Sequence, residues 1–279
     1  MPDNAEPTVI RCSSLSHYAD CPRRAAAKMF FKELAHDYGF DLKPTFASAG
    51  AMVGTAMHRS LEAAIVLRSQ NKPFDEEIDK TAAASIRETV REGVVWDNTT
   101  FDGATAAMQA ARQARSILAV MPRLKEIAIE GEFTADLGDG FILSGHIDIR
   151  GRDGERETIQ DFKSGVVERV NIPQYGGYSL LARTAGHRVD VLREIYVKRV
   201  GKTKPQPAPV VKDYDPAMAE NFAWTVIARV KTDLKEFRRT GSPWVWLPNP
   251  NSMMCSPHYC PAYGTAFCRL KGCGDAERH

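Results

Sequence analysis

Two aspartates and a lysine carry the clearest chemistry in this chain: Asp148 in Ile142-Leu-Ser-Gly-His-Ile-Asp-Ile149, and Asp161 with Lys163 in Thr158-Ile-Gln-Asp-Phe-Lys163. Both segments read as strands. Side chains on a strand alternate between faces, so Asp161 and Lys163 point one way and Phe162 the other. The turn between the segments lets them pair antiparallel and sets Asp148 beside Asp161. Two carboxylates on neighbouring strands make an oxygen-rich site for a hard divalent ion, Mg2+ or Mn2+. Such an ion stabilises the negative charge that builds on a phosphodiester under attack, and it acidifies a bound water. A lysine two residues past the second carboxylate orients that water or neutralises the same charge. A bare D-x-K is common by chance, and its ordinary meaning is a solvated ion pair on a strand face, so the surrounding residues decide.

Upstream, Gly54-Thr-Ala-Met-His58 puts a histidine one helical turn after a glycine. Imidazole ligates Mn2+, and a glycine lets a helix come close to a sheet, although a lone helical histidine is more often structural. Downstream, Gln174-Tyr-Gly-Gly-Tyr178 sets Gln174 and Tyr178 on one helix face, while Pro173 also makes this an ordinary helix start.

Positioning these groups takes an α/β framework. A first helix is expected from an N-cap at Ser14 or Ser16, through Cys21-Pro22, to about Leu34. A second begins near Ala51 and carries His58, Leu61, Ile65 and Leu67, with a polar break at Asn71-Lys72-Pro73. Helices rich in Ala and Arg follow over about 75–93 and 105–120. Short β-branched alternation then marks strands over 127–133 and 141–150, joined at Gly138-Asp-Gly140. A second turn at Gly151-Arg-Asp-Gly154 leads to a strand over 157–163. Helix returns over 173–184, then a strand over 192–199 and a long helix over about 216–239. From Gly241 the chain is rich in Pro, aromatics and Cys. Helices, a central meander and a return to helix give an α/β core with a helical lobe and a metal-bound tail.

The 37 basic and 35 acidic side chains nearly cancel, so only local patches could attract phosphates. One stretch, 191–212, holds Arg193, Lys198, Arg199, Lys202, Lys204 and Lys212 against the single acid Glu194. It reads either as a solvated loop beside a strand or as a surface that tracks DNA. No run of 18 apolar residues occurs, and MPDNAEPTVIRCSS does not resemble a secretory signal, so no membrane association and a cytoplasmic protein are expected. No G-x-x-x-x-G-K-[ST] loop is present, so any DNA unwinding would come from a helicase or recombination partner.

The order G-x-x-x-H, G-x-x-D, D-x-K, Q-x-x-x-Y resembles the RecB-like branch of the PD-(D/E)xK nucleases, over roughly residues 13–268. The resemblance implies a restriction-endonuclease-like core, a central mixed sheet flanked by helices, with an N-terminal helical lobe and a Cys-rich metal-bound tail. It divides the chain into 1–125, the helical region with the first motif; 126–240, the nuclease core; and 241–279, the tail. Residue by residue, it implies His58, Asp148 and Asp161 as ligands of Mg2+ or Mn2+, Lys163 as the catalytic lysine, and Gln174 and Tyr178 near the active site and DNA. Two positions depart from the pattern: Ile147 stands where proline is usual, and Asp161 where Glu is commoner. Glu130 or Glu132 on the preceding strand is a weaker candidate for a further carboxylate.

Clustered thiols in a reduced compartment favour metal ligation over disulfides. Zinc is the generic expectation for four thiolates, yet the spacing of Cys255, Cys260 and Cys268 does not match paired C-x2-C knuckles. The iron–sulfur members of the RecB-like branch use one cysteine before the core and three near the end. That resemblance implies a [4Fe-4S] cluster on Cys21, Cys255, Cys260 and Cys268, with Cys273 the alternative fourth ligand and Cys12 a bystander. Trp244, Trp246, Tyr259, Tyr263 and Phe267 around them would shield the cluster or stack on unpaired bases. The function implied is a DNA exonuclease acting on single strands and duplex ends, 5′ to 3′, in DNA processing, recombination or CRISPR-like adaptation, with oligomers known in the family. The alternative is a catalytically weak adaptor that binds DNA ends on the same scaffold.

Overall fold

The central meander folds through two tight hairpins. The computed structural model describes residues 6–268. Within them β4 (Lys125–Gly138), β5 (Phe141–Asp153) and β6 (Arg156–Gly165) run antiparallel to one another in turn. Asp139 and Gly140 both hold positive φ, 56° and 76°, the turn geometry whose twist matches the strands it joins. β4 runs past the predicted 127–133 because Ala135 and Leu137 go on packing into the core. The second turn is tighter than expected: β5 continues to Asp153 and only Gly154 and Glu155 separate it from β6.

Three further strands complete a mixed sheet of six, in the order β1-β5-β6-β7-β8 with β4 also paired to β5. β1 (Thr8–Arg11) lies parallel to β5, β7 (Val191–Lys198) parallel to β6, and β8 (Val210–Tyr214) antiparallel to β7. The parallel β6–β7 pair needs a crossover, which α6 (Ile172–Thr184) supplies. One apolar core gathers α1 (Cys12–Asp20), α2 (Pro22–Met29), α6 and α7 (Pro216–Thr240) around Ile159 and Leu192 of the sheet. A second gathers α3 (Ala49–Ser69), α4 (Asp75–Glu92) and α5 (Gly103–Val120) around Phe162, Ile195 and Val197. The sheet is thus covered by helices on both faces, an α/β fold with a central mixed sheet. No helix among the described residues is long and apolar enough to cross a membrane.

The first helix departs from expectation. It starts at Cys12 rather than after Ser14 or Ser16, and it stops at Asp20, with Cys21 extended at φ −147° and ψ 95°. Pro22 is the cause: proline lacks an N–H and drives the residue before it out of the helical region, then serves well in the first turn of α2. This break displays Cys21 at a corner instead of on a continuous helix. β1, β8 and the two-residue pair β2 (Ala47–Ser48) with β3 (Val94–Val95) were not foreseen either.

Half of the basic residues in the stretch 191–212 are neutralised within the fold. Arg193 pairs with Asp213 and Asp153, and Lys212 with Glu168. Arg199, buried, clamps Asp97 at 2.6 Å and lies against Gly50 at the start of α3. The end of β7 thereby fixes where α3 begins, and α3 carries His58. Lys198, Lys202 and Lys204 stay exposed.

Candidate active site

The sheet opens where the two aspartates meet. The β5–β6 ladder ends at Ile149 opposite Gln160, and one step further the register sets Asp148 against Asp161. There the backbone N–H of Phe162 donates to Asp148 Oδ2 at 2.9 Å, so a side chain takes the bond that the ladder would have supplied. Asp161 is 2% exposed, and its Oδ1 accepts no hydrogen bond among the described residues. Lys163 Nζ lies 2.7 Å from Asp161 Oδ2, the same-face pairing that strand alternation requires.

α3 brings the histidine. A Cβ on Gly54 would stand 3.2 Å from Ser164 Oγ, so the glycine lets α3 settle on β6. One turn later His58 Nδ1 lies 3.3 Å from Asp148 Oδ2. α6 brings the polar pair: the Gln174 side-chain amide donates to the Tyr178 oxygen at 2.6 Å, both residues buried. Burial, then the charges of Asp161 and Asp148, push the Tyr178 hydroxyl well above its usual range, so the phenol stays protonated beside the carboxylates.

The charges are strongly coupled. Burial pushes the Asp161 carboxyl up to about 7, with Asp148 adding to the shift and Lys163 opposing it. For Asp148 burial acts upward too, but His58, Lys163 and the Phe162 N–H outweigh it and hold the group below the usual range. Burial alone would lower His58, yet the Asp148 charge and hydrogen bond carry it up to about 9. Lys163 likewise stays above its usual range, since Asp161, Asp148 and Glu194 outweigh burial.

These shifts fix a pH dependence for the metal-free protein. A carboxyl raised from 3.8 to about 7 stabilises the fold while protonated, and that contribution is lost as pH rises from about 4 through 7. A histidine raised from 6.5 to about 9 stabilises the fold below 6.5, and its contribution is lost as pH rises through 9. Both act in one direction. With chelator present, Tm is expected to fall by roughly 5 °C between pH 6 and pH 9. Asp161→Asn should remove the part of the fall below about pH 7 and leave the His58 part above it in a calorimetric series; an unchanged slope between pH 4 and pH 7 would refute the assignment of the charge to Asp161.

Sequence reasoning missed one acid of the site. Glu194 sits beside Asp161 in the parallel β6–β7 register and is 1% exposed. It accepts from the Tyr175 hydroxyl. Burial pushes its carboxyl upward, with Tyr175, Lys163 and Asn171 pulling back. The available signal was a lone acid inside an apolar, β-branched strand. The weaker carboxylate candidate Glu132 is exposed and, among the described residues, pairs with His146 at 4.0 Å. Nothing is described for the side chain of Glu130.

The predicted thiols gather at another place, where the Cys21 corner meets the tail. Cys21, Cys260 and Cys268 are buried and Cys255 half-buried. Burial pushes the Cys260 thiol up to about 11, with Cys268, Cys21 and Cys255 close enough to add to the shift. The Asn249 backbone N–H donates to Cys21 Sγ at 3.4 Å. Cys12 lies apart in the core, its thiol pushed up by burial, and Cys273 lies outside the described residues. Trp246 and Phe267 are fully buried in the aromatic core, whereas Trp244 is exposed beneath the Arg23 guanidinium. Among the described residues, no three His, Cys, Asp or Glu side chains form a ready-made metal cage.

The sequence matches the family model of the PD-(D/E)XK nuclease superfamily over residues 11–265. The chain belongs to this superfamily. In this PD-(D/E)XK nuclease, the matched span includes the strands β5 and β6 that carry Asp148, Asp161 and Lys163. A solved structure from Eubacterium rectale, provisionally named an exonuclease, shares the fold with TM-score 0.50 and 10% identity, over 83% of this chain and 80% of that one. LHK-Exo, solved in complex with dAMP, aligns with TM-score 0.28 and 10% identity over 71% of this chain and 94% of its own. No curated protein matches the sequence.

Proposed function

We propose that the chain is a Mg2+- or Mn2+-dependent deoxyribonuclease that degrades DNA from ends, with Asp148, Asp161 and Lys163 as its catalytic centre. The observation that carries this is the buried Asp161 carboxyl, held beside a second carboxylate and a lysine, with one oxygen lacking any donor among the described residues. A carboxylate so placed suits a hard cation better than it suits a proton. Mg2+ is commonly held by one or two carboxylates plus water and substrate phosphate, so no complete protein cage is needed. Asp148 and Asp161 would hold the ion, with His58 beside Asp148. The ion supplies charge against the developing phosphorane and acidity to a water. Lys163, kept cationic by three carboxylates, offsets charge on the scissile phosphate. Gln174 and Tyr178 fix the wall of α6 next to the carboxylates.

The tail enters the same reading. Cys21, Cys255, Cys260 and Cys268 would hold a [4Fe-4S] cluster, with zinc as the alternative; the support is that the four thiols lie near one another with three of them buried, and holding the metal would require them to draw closer than the arrangement among the described residues. The cluster would tie the start of α2 to the tail, away from the phosphodiester chemistry.

The deciding experiment incubates anaerobically purified protein with linear and covalently closed single-stranded and duplex DNA, labelled at either end where linear. Mg2+, Mn2+ and chelator are compared. Metal-dependent loss of linear DNA, early release of the 5′ label and intact circles are expected. Cleavage of circles would replace the exonuclease with an endonuclease. No cleavage by protein with its metal centre intact would leave the adaptor that binds DNA ends.

A further inference from the structure

We propose that a basic cleft at the end of β1 holds backbone phosphates of the DNA strand beside the active site. This rests on reading the chain as a DNA nuclease. The edge of β5 away from β4 is shared by two strands: β1 pairs with Phe141–Ser144, and β6 pairs from Ile149 onward. Between them that edge is open, and Asp148 stands at one end of the opening. Arg11, the last residue of β1, lies opposite Ser144 at the other end, roughly 13 Å of strand away. The start of α1 is set against the same opening, since a Cβ on Gly145 would come 2.9 Å from Cys12 Sγ.

Here Arg11, Ser13, Ser14, His17 and Lys28 line a cleft of about 420 Å³, and no carboxylate is among its lining residues. Their side chains make no hydrogen bond or ion pair among the described residues, and Arg11, His17 and Lys28 are exposed. Other arginines of the sheet are matched by acids: Arg152 meets Glu126, and Arg193 meets Asp153 and Asp213. Asp20, the acid of α1, is already taken by Arg24 at 2.8 Å and by the Ser252 hydroxyl at 2.6 Å. The cleft therefore keeps a surplus of positive charge that the fold leaves unanswered. An anion entering it meets two cations, an imidazole and two hydroxyls, groups from which phosphate oxygens accept. The layout favours a strand over a single small anion. Arg11 and Lys28 stand on different elements, β1 and α2, so each can meet its own phosphate along a strand that leads to the opening.

The test titrates the full chain into a labelled single-stranded oligonucleotide, with chelator to prevent cleavage, and reads fluorescence anisotropy over a series of salt concentrations. Arg11→Gln and Lys28→Gln should each weaken binding roughly 3–10-fold at fixed salt. Each should also flatten the plot of log affinity against log salt by about 0.7, and the double variant by about twice as much. Arg11→Lys, which keeps the charge, should keep most of the slope. Tm should stay close to wild type, because both side chains are exposed and unpaired. Lys72→Gln, an exposed lysine past the far end of α3, is the control and should leave the slope as it is. The losses should be the same on oligonucleotides with and without a terminal phosphate. Wild-type affinity and slope in the double variant, from a chain that otherwise binds and cleaves DNA, would overturn the cleft alone. A loss confined to oligonucleotides with a terminal phosphate would overturn backbone contact and leave a seat for a strand end. An equal loss in Lys72→Gln would reduce the effect to net charge and overturn the cleft as well. Wild-type protein that neither binds nor cleaves DNA would overturn the nuclease reading and this inference with it.

Discussion

Alanine at Lys163 is expected to lower DNA turnover by about 10³-fold or more while leaving the fold intact. Lys163 Nζ is within 2.7 Å of Asp161, yet the side chain is partly exposed and packs no core, so its loss opens little cavity. The carboxyl left behind does not stay as a buried, unpaired charge. It is already raised to about 7, and without the lysine it takes up a proton more readily. Stability near neutral pH should therefore change little although catalysis is lost. Asp161→Asn makes the complementary case: turnover falls comparably, and the pH dependence of stability that the Asp161 carboxyl gives the metal-free protein between about pH 4 and 7 disappears. Single-turnover kinetics and calorimetry on the same preparations separate the two effects. Full activity in the Asp161 variant would sink the site assignment.

Much of this site was legible because strand alternation and helical spacing are local rules. Asp161 and Lys163 share a face by period two, and Gly54 sits one turn from His58 by period 3.6; neither needs tertiary information. The hairpin at Asp139–Gly140 was legible for the same reason. What escaped was set by partners distant in the chain. β1 is four residues long and earns its place only by pairing with Phe141–Ser144, more than a hundred residues away. β8 lies in a basic stretch whose charges look solvent-facing until Asp213 and Asp153 are brought to Arg193. Glu194 looks like an ordinary surface acid until β7 is placed against β6 and α6 covers it. The break at Cys21 was a different failure, since Pro22 already announced it.

The tail can be tested by removing one thiol. Cys260→Ser is expected to abolish bound metal, to lower Tm by roughly 5–10 °C and to reduce solubility, with much of the nuclease activity retained by the folded fraction. The loss should be partial because the tail is anchored by more than cysteine. Trp246 stacks with Phe30 and lies tilted against Phe237, and Phe267 meets Phe40 edge-on, inside the α1–α7 core. Arg23 donates to the carbonyls of Trp246 and Pro243, and Asn249 to that of Asp20. These contacts hold the 3-10 turn at Pro243–Val245 and the chain after it against α1 and α2, whatever occupies the thiols. The segment around Cys255, with Met253 and His258 exposed, has less to hold it and should loosen first. Metal analysis identifies the centre: about four iron atoms per chain with visible absorbance mean a [4Fe-4S] cluster, and one zinc means a structural zinc site. A Cys260→Ser protein that keeps full metal content and wild-type Tm would remove Cys260 from the ligand set. Wild-type protein that binds neither metal after anaerobic purification would mean that the four thiols are packed for the core alone.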